Sequence, residues 1–247
     1  ENFKNTFVVQ DSMIRVSYDE YETFEDLYGH MYYDQSFSHY KLTFDYRFVG
    51  EQTPGGASWN VRNSGIMLHS QSAESNDYGQ GFPVSVELQL LGGLGDGPRT
   101  TANVCTPGTA VVMGDTVNYN HCINSSSNTY DGDQWVNAEA IVLGGESMTF
   151  IVEGDTVLYF EKPQVGGGFI SAQYEGQDFD QFGVDEDKQD WLDKADQILT
   201  EGYIALQAES HPIDFKNIQL LNLCGCMEEG NPNYRSYFVK NDPKACQ

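Results

Sequence analysis

The sequence predicts an all-β fold, a sandwich of two antiparallel sheets with one short helix. Several stretches alternate apolar and polar residues, which is the spacing of a strand with one buried face. Glycine, proline, asparagine and aspartate separate these stretches at short intervals, as in meandering sheets. A chain of 247 residues with 39% hydrophobic content is long enough to bury one core of this kind, so we expect one main domain.

The strands follow from this alternation, in chain order. Residues 7–16 contain two short strands around an Asp-Ser turn, and residues 40–49 alternate over ten positions with their aromatic side chains on the inner face. A meander joined by glycine-containing turns follows later in the chain. The predicted strands are 7–16, 40–49, 66–71, 84–91, 134–142, 147–160, 202–212 and 213–221.

One stretch departs from this pattern. Residues 187–199 have apolar side chains at helical spacing, and Gly202 follows as a stop signal, so the sequence predicts a short helix there. Residues 166–184, just before it, are rich in glycine, glutamine and aspartate and are interpreted as an insertion.

The strand at 84–91 is the centre of the functional interpretation. Val86, Leu88 and Leu90 share the face that needs a core. The opposite face has Glu87 and Gln89, a carboxylate beside an amide, which suits a ligand with several hydroxyl groups, such as a sugar. The alternative is that both side chains only solvate the outer face of a sheet, and this strand alone does not separate the two interpretations.

Composition excludes some partners. The chain has 13 basic and 37 acidic residues, a net charge of −24, and this field repels nucleic acid and anionic membrane surfaces. No run of about 18 apolar residues is present, so we expect no membrane span. The chain begins at Glu1 without a signal-peptide pattern, which fits a cytosolic protein or an exported protein whose signal peptide was removed.

The cysteines favour the exported alternative. Cys105 and Cys122 flank a turn-rich loop, and a disulfide closing it would stabilise the fold by roughly 3 kcal/mol. Such a bond implies an oxidising compartment. Cys224 and Cys226 are too close in sequence for the usual zinc knuckle.

Further candidate site residues lie on other strands and loops. Asn63 and His69 share one side of their strand with Gly65, a residue type that permits close approach of a ligand. His69 is equally compatible with a structural bond to a backbone carbonyl. Gln207 and Glu209 share a face of a later strand. The remaining candidates are Trp59 as a stacking platform, Arg62 with a carboxylate partner in the groove or elsewhere, His121 beside the disulfide, and Asp214 as a weak ligand for a structural Ca²⁺.

These motifs together resemble a known family. Asn63-Ser64-Gly65-Ile66, Val86-Glu87-Leu88-Gln89 and Gln134-Trp135, followed by the stretches at 202–207 and 215–218, resemble the 3-keto-disaccharide hydrolase domain family over residues 36–223. The resemblance implies a concanavalin A-like or laminin G-like jelly roll, so we expect a carbohydrate-active domain at 1–223. It also implies a secreted or periplasmic location.

The tail at 224–247 is expected to be a small appendage. It resembles a disulfide-closed repeat of secreted bacterial proteins. That resemblance implies a bond between Cys226 and Cys246, which leaves Cys224 free.

The family resemblance implies cleavage of glycosides oxidised at C3, by elimination and hydration or by hydrolysis. A C3 ketone acidifies the C2 hydrogen, so the site needs a base, an acid and donors to the enolate oxygen. Glu87 or His69 would be the acid or base, and Asn63, Gln89 and Gln207 would position the sugar. Glu209 is the candidate second carboxylate, because the strand of Glu87 lacks the two-carboxylate motif of laminarinases.

A different class of function stays open beside this one. A non-catalytic carbohydrate-binding or adhesion module needs only aromatic platforms and amides, without a titrating carboxylate. The expected partner in either case is an oligosaccharide, polysaccharide or glycoside. The sequence indicates no required cofactor apart from the Ca²⁺ considered at Asp214.

Overall fold

A computed structural model describes residues 1–77, 79–167 and 188–247 and shows two antiparallel sheets packed face to face. This is the predicted jelly-roll β-sandwich. A third, two-stranded sheet lies in the C-terminal tail. Within the described residues, no helix is both long enough and apolar enough to cross a membrane.

The larger sheet has nine strands, and its apolar side chains point to the inner face as the alternation in the sequence predicted. Along β4 (His39–Phe48) the burial alternates between buried and half-buried positions, with Tyr40, Leu42, Phe44, Tyr46 and Phe48 in the core. In spatial order, the strands are β1 (Phe7–Gln10), β2 (Met13–Val16), β15 (Ile213–Asn222), β4 (His39–Phe48), β11 (Val136–Leu143), β12 (Ser147–Val152), β13 (Asp155–Val165), β8 (Thr109–Met113) and β9 (Thr116–Asn118).

The smaller sheet has six strands and carries the functional interpretation. Its inner face contributes Ile66, Leu88, Val104 and Leu206 to the core shared with the nine-stranded sheet. In spatial order, the strands are β10 (Cys122–Ile123), β7 (Asn103–Cys105), β6 (Val86–Leu91), β5 (Asn63–Ser70), β14 (Tyr203–Ala208) and β3 (Gly29–Tyr32). Its other face is covered by loops and holds the polar side chains of these strands.

The predicted helix is shorter than expected. Helix α1 spans Lys188–Leu192, whereas the sequence predicted 187–199. The chain beyond Leu192 forms turns and then bonds to β13: Asp196 donates its N–H to the Val165 carbonyl, and Leu199 donates to that of Pro163. These bonds replace the helical ladder that the apolar spacing predicted. Residue 187 and most of the predicted insertion at 166–184 lie outside the described residues.

The disulfides are those that were predicted. Cys105 pairs with Cys122 and Cys226 pairs with Cys246, while Cys224 is a free thiol next to the Ser38 hydroxyl. The second disulfide closes the tail, in which β16 (Cys224–Gly225) pairs in parallel with β17 (Lys240–Asn241).

Asp214 is not the calcium ligand that the sequence suggested. It lies on the outer face of the nine-stranded sheet, with its carboxylate fully buried between the cross-strand neighbours Arg15 and Arg47. Arg15 binds both carboxylate oxygens, at 2.6 and 2.8 Å, and Arg47 binds one at 2.9 Å. Two cations therefore occupy the directions from which a metal ion would approach.

Candidate active site

A pocket of about 460 Å³ lies on the loop-covered face of the six-stranded sheet. Its floor comes from the polar rows of β5, β6 and β7, and a disulfide forms part of its wall. The lining residues are Trp59, Asn63, Phe82, Glu87, Gln89, Leu91, Arg99, Cys105, His121, Cys122 and Glu209. We refer to this pocket as the acidic pocket, because two glutamates are buried in it.

The Glu87 side chain fits into this pocket because Gly65, on the neighbouring strand β5, leaves space for it. A Cβ on Gly65 would come within 2.3 Å of Glu87 Oε1 and 2.7 Å of its Cγ. The Glu87 side chain therefore leans across β5, over the space that Gly65 leaves, and is only 5% exposed. The sequence analysis associated Gly65 with close approach of a ligand. In the structure, the group that comes close to Gly65 is the Glu87 side chain of the protein itself.

Glu209 lies on the opposite side of β5 from Glu87, near enough for the charge of Glu87 to raise its pKa. It follows the last residue of β14 and is 2% exposed, and Asn63 Nδ2 donates to its Oε1 at 3.3 Å. The charge of Arg99 also acts on Glu209. The Arg99 guanidinium is held in place by backbone carbonyls, with Nη1 2.8 Å from the Val61 oxygen and 2.7 Å from the Gly92 oxygen.

Burial raises the pKa of both carboxyls. Loss of solvation raises the pKa of Glu87 from 4.5 to about 8. The same cause raises the pKa of Glu209 well above its usual value; the neighbouring Glu87 raises it further, and Arg99 opposes the shift. Two carboxyls in one dry site do not ionise independently, so near neutral pH the pair retains at least one proton. When one of the two carboxyls is ionised, the pocket offers an acid and a base together.

We expect this pair to make the fold less stable as the pH rises from about 6.5 to 8. An unfolded glutamate loses its proton near pH 4.5, whereas folded Glu87 keeps it until about pH 8, so the folded state binds more protons. Below pH 6.5 the buried histidines His30, His69 and His211 act in the opposite direction, because burial lowers their pKa to about 4.

Thermal melting at constant ionic strength measures this dependence. The melting temperature of the wild type should fall across the window, and that of Glu87→Gln should fall less because one of the two shifted groups is gone. A wild-type melting temperature that rises over this range would contradict the buried, protonated pair.

The rest of the acidic pocket provides hydrogen bonds and an aromatic platform. Gln89 accepts from Asn103 Nδ2 at 3.1 Å, which fixes its amide and directs the nitrogen away from Asn103. Trp59 is half exposed and lies nearly parallel to Tyr28, with ring centroids 6.3 Å apart. A platform next to amides and carboxyls is the composition expected of a sugar site.

The structure brings most of the predicted site residues together. Asn63, Glu87, Gln89 and Glu209 form the floor, and Trp59 and His121 lie at the rim. Gln207 is on the same face of the sheet but completely buried beside the pocket.

His69 is not in the acidic pocket, contrary to the sequence-based prediction. Its φ of 47° lies where the register between β5 and β14 shifts, and this irregularity breaks the alternation that placed it beside Asn63. The ring instead contacts Tyr40 at the core, and Nε2 is 3.1 Å from the Gly144 carbonyl oxygen. This is the structural alternative that the sequence left open.

Arg62 is also absent from the pocket lining, contrary to the prediction that it binds substrate. It has a φ of 48°, and its guanidinium lies over the Phe48 ring and binds Asp133 and the Gly132 carbonyl. The basic residue that lines the pocket is Arg99, which sequence reasoning passed over in a glycine-rich loop. Its signal was the scarcity of basic residues, since the chain has 13 against 37 acidic ones.

Comparison with known proteins gives a family match and distant structural similarity. A family model described as a 3-keto-alpha-glucoside-1,2-lyase-like domain matches residues 1–221. No curated protein matches the chain. A candidate glycosyl hydrolase from Parabacteroides distasonis ATCC 8503 is similar at 13% identity, covering 88% of this chain and 90% of its own, with a TM-score of 0.49. A second from the same organism has 14% identity, coverages of 88% and 83%, and a TM-score of 0.48. The carbohydrate-binding module CBM66 from Bacillus subtilis has 8% identity, coverages of 87% and 90%, and a TM-score of 0.45.

Proposed function

The chain belongs to the 3-keto-alpha-glucoside-1,2-lyase-like domain family, and from this premise we propose that it is an enzyme that cleaves 3-keto-glycosides by elimination in the acidic pocket. The observation that carries the proposal is the buried pair of Glu87 and Glu209, whose raised pKa values leave a proton donor next to a proton acceptor.

The two carboxyls have different surroundings, and this assigns their roles. Glu209 receives the Asn63 hydrogen bond and the field of Arg99, both of which favour its charged form. Glu87 has burial as the cause of its shift, which favours its neutral form. Burial and the charge of Glu87 raise the pKa of Glu209 as well, but Glu209 is the carboxyl with partners that favour its charged form. We therefore assign Glu209 as the base that takes the C2 proton and Glu87 as the acid.

The elimination balances with these two groups. The C2–H bond breaks toward Glu209, its electron pair forms the C1–C2 double bond, and the C1–O bond breaks as Glu87 gives its proton to the leaving oxygen. Charge develops on the C3 oxygen in the transition state. The Gln89 amide nitrogen and the Arg99 guanidinium are the donors available to stabilise it, and Trp59 supports the ring.

A carbohydrate-binding module is the competing function. Sugar binding needs the platform and the amides, which this pocket also has. It does not need two carboxyls buried in one pocket, an arrangement that lowers the stability of the fold at neutral pH. The pair therefore favours the enzyme.

We also propose that the protein works outside the cytoplasm. Two disulfides within the described residues are stable in an oxidising compartment and are rare in a reducing one. A secreted or periplasmic location also suits a substrate that is an oligosaccharide or another glycoside.

The test is a substrate screen in D₂O with 3-keto-α-glucosides and their unoxidised counterparts. We expect the oxidised compounds to release their leaving group and give a C1–C2 unsaturated ketone or its hydrate, and the unoxidised compounds to be inert. Cleavage of unoxidised glycosides at an equal rate would replace elimination by ordinary hydrolysis. Binding of sugars without any cleavage would support the binding module instead.

A further inference from the structure

Asn103 is the cross-strand partner of Gln89 on β7, and its side chain is buried. Both ends of its amide are hydrogen-bonded. The oxygen accepts from the Ser125 backbone N–H at 2.9 Å and from the Thr100 hydroxyl at 2.8 Å, and the nitrogen donates to the Thr100 carbonyl at 3.0 Å. A backbone N–H can only donate and a carbonyl can only accept, so this amide has one orientation in the fold.

This orientation decides what Gln89 offers to a ligand. The other hydrogen of Asn103 Nδ2 is donated to Gln89 Oε1 at 3.1 Å. The Gln89 amide therefore keeps its oxygen toward β7 and presents its nitrogen, a donor, to the acidic pocket that it lines. A glutamine without such a partner can turn its amide over and offer an acceptor as easily as a donor.

Asn63 has the opposite polarity. Its nitrogen donates to the Trp59 carbonyl at 3.2 Å and to Glu209 Oε1 at 3.3 Å. Its oxygen is buried and has no hydrogen-bond partner within the residues that the structure describes. Asn63 is 4% exposed and lines the acidic pocket, so a ligand hydroxyl that donates to this oxygen would satisfy it.

The donor and the acceptor lie on neighbouring strands. Gln89 is the cross-strand partner of Gly65, and Asn63 is two residues from Gly65 on the same face of β5. Diagonal neighbours of this kind are about 7–8 Å apart. Two adjacent oxygens of one sugar ring, with a hydrogen bond at each end, span about this distance. The pocket floor therefore offers a fixed donor and a fixed acceptor to one ring.

We propose that Asn103 is a positioning residue for the elimination, which fixes Gln89 as a donor to the C3 oxygen without touching the sugar itself. The inference rests on the proposed function and deepens it. A ketone oxygen accepts but cannot donate, so it fits at Gln89, and a hydroxyl group fits at the Asn63 oxygen. Because Asn63 is bonded to Glu209, a ring in this orientation has its C2 hydroxyl beside Asn63 and its C2 hydrogen beside the base.

A double-variant cycle of Asn103→Leu and Gln89→Leu tests the positioning role, with steady-state kinetics on a 3-keto-glycoside from the substrate screen. Gln89→Leu removes a donor to the oxyanion, so we expect kcat to fall about 10²-fold. Asn103→Leu lets the Gln89 amide turn, and should lower kcat about ten-fold with little change in KM. In the Gln89→Leu background, Asn103→Leu should lower kcat by less than about two-fold more, because its effect passes through Gln89.

A matched control separates positioning from stability. Asn103→Leu leaves the Ser125 N–H without its partner, so we expect a lower melting temperature. Asn137 is a strand residue of the other sheet, and its amide donates to the Phe44 carbonyl and to Asp45. Asn137→Leu should also lower the melting temperature but leave kcat unchanged. Equal fold-losses from Asn103→Leu with and without Gln89 would show a structural role alone and overturn the proposal.

A further variant keeps the test valid if Asn103→Leu does not fold. In Gln89→Glu, the ionised side chain keeps its shape and still accepts from Asn103, but it has no hydrogen to donate to the C3 oxygen. We expect this variant to lose at least as much activity as Gln89→Leu. Activity that is retained in Gln89→Glu and lost in Gln89→Leu would show that Gln89 acts as an acceptor, which overturns the proposal.

The outcomes separate this inference from the proposed function. If Glu87→Gln impairs turnover while Gln89→Leu and Asn103→Leu do not, the elimination stands and the positioning role fails. If the wild type turns over no oxidised glycoside, the proposed function fails and the positioning role fails with it.

Discussion

Replacing Glu87 by glutamine is expected to lower the turnover of a 3-keto-glycoside by about 10²-fold or more. The glutamine keeps the shape and the hydrogen-bonding capacity of the side chain but cannot deliver a proton to the leaving oxygen. The loss should appear mainly in kcat, because the sugar-binding groups stay in place. Steady-state kinetics on a substrate found in the screen measures it.

The size of this effect depends on the leaving group, which gives a sharper readout. A phenol with a low pKa needs little help from an acid, so Glu87→Gln should be much less impaired on an aryl glycoside than on an alkyl glycoside. Glu201→Gln, at an exposed carboxylate, is the control and should behave as wild type. If Glu87→Gln retains full activity on every substrate, Glu87 is a structural residue and the acid assignment is wrong.

Replacing Gly65 by alanine is expected to cost both activity and stability. The new Cβ would occupy the space of the Glu87 carboxyl, at 2.3 Å from Oε1, so the side chain must move out of the pair. A displacement of this kind lowers turnover by about 10²-fold, and overpacking costs about 1–3 kcal/mol of folding free energy. Kinetics and denaturant unfolding measure the two effects.

A matched control and a double variant assign the cause. Gly166→Ala adds a Cβ with ordinary contacts, 3.6 Å from the Ala110 Cβ, and should be close to neutral. Removing the clash partner should restore stability, so Gly65→Ala combined with Glu87→Ala should be more stable than the sum of the single changes predicts. Strictly additive losses would show that Gly65 acts through its backbone and not through Glu87.

The strands and the fold class could be predicted from the sequence because alternation is a local property. The inner face of β4 and the polar face of β6 follow directly from the order of residues. His69 and Arg62 were misplaced because each has a positive φ, and a single residue in that conformation reverses the side to which the chain points. Arginine rarely adopts this conformation, and histidine adopts it more often than most residues but still in a small minority of cases.

The sequence suggests Glu209 as a second carboxylate, but only the folded chain shows that it shares a pocket with Glu87. This arrangement depends on β5 lying between β6 and β14, and strand order is set by contacts between residues far apart in the chain. The length of the helix was overestimated for a related reason. Its apolar spacing is real, but the backbone beyond Leu192 finds partners on β13 that no local pattern reveals.

The disulfide in the pocket wall has a consequence for how the protein should be produced. Cys105 is the cross-strand partner of Glu87, and Cys122 lines the same cavity. Protein expressed in a reducing cytoplasm would carry two thiols there, without the bond that holds β7 to β10 at the edge of the sheet. A substrate screen on such material would examine a looser cavity. Thiol titration before the assay, with one thiol per chain as the acceptance criterion, identifies correctly oxidised preparations.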